Sequence, residues 1–366
     1  MIVRAGFLLA FIFMSLGQVV AEFPTAHDAN STYFIEYDDL DRILKGSVLE
    51  MGASTHRPPK QRLTKITGTR IQIGNILKTR QEGNRLMFHE FEERERQVLR
   101  NLCDELLSIP SQISFSALSR NEQLGYWLNL HNVIVLAEIS EEYPVTRLKP
   151  FFDENDPSSF LNQRRFEMNG TMISLADIER HVTANWRDPV VIYGFYFAAV
   201  GTPNLRTAAY RGGKVYDQLR SNAVDFVNSM RGTQIWQGPV LKVSTYYKRM
   251  AIMFPDFEIN VRDHIEKYAK PDFKRRMITT NSISAEIKDW HIADLYNGKP
   301  GLQPGGQYPR LTKDGNWNMF TQGSPEHVTQ LLRDRQLKFL RRNGTVDIEE
   351  LPQNKDAELR EEEDIN

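Results

Sequence analysis

A single cysteine, Cys103, stands in a chain of 366 residues. No intramolecular disulfide can form, and no cysteine-rich metal site can be assembled. Histidine is sparse too: His27, His56, His89, His131, His181, His264, His291 and His327 contain no short His-x3-His ligand pair, so the motif content predicts no metal and no cofactor. A surplus of either charge is missing, with Lys plus Arg 46 against Asp plus Glu 47. Nucleic-acid binders usually carry a basic excess, so that class is set aside. Gly68, Gly74 and Gly83 lack the spacing and the following helix of a phosphate loop.

What is present begins with Met1 to Ala21. Arg4 supplies a positive start, Phe7 to Leu16 a short apolar stretch, and Val19-Val20-Ala21 a small-residue cleavage pattern. This predicts a signal peptide over 1–21 and a periplasmic or secreted chain with no membrane span after cleavage, the apolar run being too short to cross a bilayer. Export implies an oxidising compartment. With one cysteine, stability must come from packing, for which 20 Phe, 13 Tyr and 5 Trp are at hand.

Residues 22–98 read as an N-terminal region. It holds a short amphipathic helix over Tyr33–Leu44 and a β-hairpin joining Ile71/Ile73 to Leu86/Phe88. A helix follows over Glu90–Ser108, ended by Ile109-Pro110, with Cys103 on its apolar stripe as a buried thiol. Ser119 and Glu122 form a capping-box pattern ahead of Gly125–Glu138, the most apolar long segment after the N-terminus. Asn129, His131 and Asn132 interrupt that run. Buried amides need fixed partners, because leaving one unpaired costs about 1–3 kcal/mol. Further on, residues 151–170 read as loop, Ser174 caps a helix ahead of Asp177, and Val190–Val200 is a buried strand or short buried helix. Helices are expected over Lys214–Met230, Tyr246–Met253 and Val261–Ala269, with a short strand at Val240–Val243. Residues 279–348 read as a loop-rich extension with Trp290 and Trp317, ending in a helix from Ser324, and 349–366 as an acidic disordered tail. The expected fold is α+β: a mainly helical domain with a small β-sheet and a loop-rich C-terminal extension.

The order Trp127-Leu-Asn-Leu-His-Asn132, Tyr143-Pro144-Val145, Leu175-Ala-Asp-Ile-Glu179, Asp188-Pro189 and Thr202-Pro203-Asn204-Leu205 resembles the DUF547 family over about Leu99 to Met230. This sets 99–278 apart as the core, in a secreted, proteobacterial-type variant of that family. The family shows a Trp-x-Asn-x-Tyr-Asn helix, a Glu-His pair and His and Cys positions suggestive of a thiol site. Here His131 replaces the Tyr, Ile192 falls where the family often has His, and Phe197 and Thr202 fall where it often has Cys. Glu179-Arg180 replaces Glu-His, with His181 displaced by one. Without the thiol, covalent turnover is not expected.

The candidate residues are therefore His131 and Glu179 for chemistry, and Asn129, Asn132, Trp127 and Thr202 for binding. Glu179 and His181, two apart on a helix, cannot face one another, but Glu179 could meet His131 across the fold. Two functions follow as expectations: a non-covalent binding or assembly protein of the cell envelope, engaging a small molecule or an envelope protein, or a hydrolase of an envelope peptide or glycan working through His131, Glu179 and Asn129 with activated water. Protein docking through the C-terminal extension and helix 324–342 is a third. A His131–Glu179 contact beside an open cleft would favour the enzyme.

Overall fold

The computed structural model describes residues 23–54, 56, 82–235, 238–298, 328 and 331. The expected signal peptide, the Ile71/Ile73 half of the hairpin, Trp317 and the acidic tail lie outside the described residues. No helix among the described residues is long and apolar enough to cross a membrane.

The architecture is α+β and mainly helical. Its axis is helix α3 (Arg120–Glu142), buried on all sides from Glu122 to Leu136. A helix apolar all round belongs in a core rather than on its rim. Ser119 caps it, the hydroxyl accepting the Glu122 N–H at 3.2 Å. The reciprocal half of the expected capping box does not form, because the Glu122 carboxylate accepts instead from the Ile35 and Gly212 N–H groups, each at 3.0 Å.

Helix α1 (Asp38–Ser47) starts later than the pattern suggested, leaving Tyr33 and Phe34 exposed. Helix α2 (Glu93–Gln112) packs along α3 and runs through Pro110 rather than stopping at it. Pro110 has no N–H for the Leu106 carbonyl four residues back. The Tyr126 hydroxyl of α3 donates to that carbonyl at 2.8 Å, so the last turn survives. Cys103 is buried on α2, and burial pushes its thiol up to about 12.

Helix α4 (Leu175–Asn185) starts at the N-cap expected of Ser174, and the Asp177 side chain completes a capping box there. It follows a hairpin not expected from the sequence, strand β3 (Phe166–Met168) inside the 151–170 stretch read as loop and strand β4 (Thr171–Ile173) just after it. Asn169 and Gly170 both have positive φ between them, the turn geometry that Asn-Gly supports. Pro189–Gly194 is a 3-10 turn pressed on α3, so close that a Cβ on Gly194 would lie 2.6 Å from Leu128.

Helices α5 (Val215–Val227), α6 (Thr245–Arg249), α7 (Phe257–Tyr268) and α8 (Pro271–Met277) complete the helical layer. Strands β5 (Thr233–Gln234), β6 (Val240–Ser244) and β7 (Ser282–Ile287) form a sheet, β5 antiparallel and β7 parallel to β6. Strand β7 corrects the reading of 279–298 as loop, and Ile292 and His291 beyond it bridge to Ala199 and Arg147. Leu86 pairs with Val48, joining β2 (Arg85–Leu86) to β1 (Val48–Leu49). Phe88 opens a 3-10 turn instead of continuing the strand. Val328 and Leu331 are helical and buried against Leu49, Met51, Met87, Leu295 and Tyr296.

Candidate functional site

The two amides of α3 are held by the backbone of neighbouring segments. Asn129 donates to the Tyr210 carbonyl and accepts the Tyr210 N–H, both at 2.8 Å. Asn132 donates to the Gly194 carbonyl at 3.0 Å and accepts the Tyr196 N–H at 2.9 Å. Each amide substitutes for a strand partner that these irregular segments lack, which keeps their buried polar groups paired. The two side chains border a cavity of about 10 Å³ with Leu40, Leu44, Leu136 and Tyr210. Such a space holds one water at most.

His131 lies one position from Asn132, with no exposed surface. Its Nδ1 is 3.1 Å from the Asn132 Oδ1, and its Nε2 is 3.4 Å from the Glu179 Oε1. Glu179, whose side chain is 12 % exposed, also accepts from Arg249 Nη2 at 2.7 Å. Burial alone would raise the Glu179 carboxyl, but the Arg249 charge and the His131 contact outweigh it and hold the carboxyl below its ordinary value. Arg249 is 6 % exposed; it also contacts Glu154 at 3.2 Å and lies 4.7 Å above the Phe197 ring. Burial lowers the Arg249 pKa, but the charges of Glu179 and Glu154 bring it above its ordinary value.

The structure thus joins His131 to Glu179 across 48 residues and adds Arg249, which the sequence reading did not include. Neither the small cavity nor the surface groove of about 910 Å³ between α1 and the start of α2 is lined by His131 or Glu179. Thr202 stands apart from these groups: its hydroxyl donates to the Ala199 carbonyl at 2.8 Å, and its own carbonyl accepts from Arg231. Trp127 stands apart as well, packed on His181 with centroids 4.9 Å apart. As the spacing of two on α4 requires, Glu179 and His181 take different neighbours. No cluster of three or more metal-ligating side chains occurs among the described residues.

The Arg249 signal in the sequence was only a basic residue in the last turn of a helix. Nothing local marks its partner 70 residues earlier.

Residues 115–227 match the family described as "Protein of unknown function, DUF547", so this span is a DUF547 domain. It carries α3, α4, the 189–194 turn and α5, and so both amides, His131 and Glu179; Arg249 lies beyond it. No curated protein and no solved structure matches the chain.

Proposed function

We propose that the chain is an exported, non-covalent binding or assembly protein of the cell envelope, built on a DUF547 domain of altered centre. The observation that carries this reading is the state of the central polar groups. His131 and Glu179 are engaged by Asn132, Arg249 and each other, and neither lines the cavity beside Asn129 or the groove between α1 and α2. A general base needs access to the proton it removes, directly or through one water.

The departures from the family pattern support the same conclusion. Phe197, at a position where the family often has Cys, sets its ring 5.4 Å from His131 and 4.7 Å from the Arg249 guanidinium. Ile192, at the family's His position, is wholly buried. Where the resemblance implies a thiol, an aromatic ring packs beside His131 instead. The Met1–Ala21 pattern supports export of this secreted variant of the family.

The test is retention. The chain lacking residues 1–21, immobilised and exposed to a mixture of envelope peptides and peptidoglycan fragments, is expected to retain intact molecules, and an equal set in a Glu179→Gln variant. A retained set that vanishes with Glu179→Gln, in a variant that keeps its circular dichroism, would move the function to the central cluster. A hydrolytic reading keeps one supporting observation, the His131–Glu179 contact itself.

A further inference from the structure

The opposite side of α4 from Glu179 carries a second cluster that the central groups do not use. Trp127, His181 and Trp186 are neighbours, with centroids 4.9 Å apart from Trp127 to His181 and 5.8 Å from His181 to Trp186. They are 0 %, 8 % and 3 % exposed. Each leaves one buried ring nitrogen without a hydrogen-bond partner: Trp127 Nε1, His181 Nε2 and Trp186 Nε1. His181 Nδ1 faces the Asn185 amide nitrogen at 3.2 Å, which makes Nδ1 the acceptor and places the ring proton on Nε2. Three unpaired donors in one aromatic cluster are unusual, because buried polar groups in folded proteins are nearly always satisfied.

The cluster is covered by the chain's own Phe23. Its ring lies 4.6 Å from Trp127 and 5.0 Å from His181. Residues 24–30 behind it are exposed. Residues 24–28 pass the start of α3 as a strap held through backbone groups, and a turn follows at 29–30. Gln123 donates to the Ala26 carbonyl at 2.7 Å, and the Asp28 N–H donates to the Leu118 carbonyl at 3.1 Å. Two features of an extended peptide are therefore read here, an aromatic side chain and its following backbone, neither of which depends on the strap's being part of this chain.

We infer that the Trp127–His181–Trp186 cluster is a pocket for an aromatic residue of an extended peptide, occupied here by Phe23 as a built-in competitor. The inference deepens the binding reading proposed above and rests on it. Phe23 adds a ring but no acceptor for the three donors, so a partner carrying a carbonyl or carboxylate beside its aromatic ring would bind better than the strap does. A short tether holds its ligand at an effective concentration in the millimolar range, so a free peptide competes poorly while Phe23 is in place.

The test uses the chain from residue 22 onward and its Phe23→Ala variant. The probe is a fluorescein-labelled peptide copying residues 22–31, with a second peptide carrying alanine in place of phenylalanine. Fluorescence anisotropy is expected to show the phenylalanine peptide binding the variant at least tenfold more tightly than the unaltered chain, and the alanine peptide at least tenfold more weakly. Equal binding of both peptides, or none to a Phe23→Ala variant with unchanged circular dichroism and Tm, overturns the inference. Hydrogen exchange on the unaltered chain covers the case in which Phe23→Ala does not fold. The Asp28 amide is expected to exchange at least a hundredfold faster than that of Val133 in α3, and equal protection would mean a strap that never leaves. Peptide binding without retention of envelope molecules would sink the wider reading and leave the pocket standing; retention without peptide binding would do the reverse.

Discussion

Replacing Arg249 by methionine isolates what holds the centre of the domain. The change keeps a long apolar stem under Phe197 but removes the charge from Glu179, a side chain 12 % exposed. Breaking a buried ion pair on one side costs about 3–5 kcal/mol, because the remaining charge stays buried without compensation. At about 2–4 °C per kcal/mol for a domain of this order, Tm should fall by roughly 10 °C. The pH dependence has a definite sign. In the native chain the Glu179 carboxyl titrates below its ordinary value. A depressed carboxyl contributes stability that is fully present above the unfolded value of about 4.3 and is lost as pH falls through the folded one. In Arg249→Met the main depressing charge is gone, and burial drives the carboxyl upward. The variant's deficit should be widest near pH 7.5 and shrink towards pH 5, where the carboxyl can take a proton. Adding Glu179→Gln should recover more than half of the loss, since both charges are then absent. Differential scanning fluorimetry from pH 5 to 8 measures all three. An Arg249→Met Tm within 2 °C of the parent, or a double variant no better than the single one, would refute the account of this pair.

Three other outcomes follow from the same contacts. Asn129→Ala leaves the buried N–H and carbonyl of Tyr210 unpaired and should cost about 2–6 kcal/mol in urea unfolding, at about 1–3 kcal/mol per orphaned group. Tyr126→Phe should cost about 1–2 kcal/mol alone but less in a Pro110→Ala background, where an alanine N–H can serve the Leu106 carbonyl, so the double-mutant cycle should be non-additive. Burial lowers His264 to about 4, so the unfolded chain takes up its proton first and stability should fall between pH 6.5 and 4; His264→Gln should flatten that slope by up to about 1.4 kcal/mol per pH unit.

Much of this arrangement is written locally. The Ser174 N-cap and the long apolar helix through Asn129 need only a few neighbouring residues to specify them, and they form where the pattern puts them. The features missed are those whose cause lies far along the chain. Pro110 does not end α2 because Tyr126 supplies the missing donor. Leu86 reads as a strand residue, but nothing nearby marks Val48 as a residue it pairs with. Strand β7 reads as loop in isolation, with Ser and Glu between its apolar residues, and becomes a strand because β6 offers it an edge. Arg249 is the same case at the centre: a helix-end cation whose meaning depends on a carboxylate buried elsewhere. The amides Asn129 and Asn132 were legible as groups needing partners, whereas Tyr210, Gly194 and Tyr196 as those partners were not.

We propose that the His131–Glu179–Arg249 group serves the fold rather than turnover. The most direct measurement is product formation from labelled peptidoglycan fragments and envelope peptides, followed by mass spectrometry for the parent chain and for Glu179→Gln. General acid–base catalysis is worth about 10²–10⁴-fold, so a working carboxylate would be plain in that comparison. Product is expected at the protein-free background for both chains. Product above background from the parent, lost at least a hundredfold in a folded Glu179→Gln, would contradict that proposal.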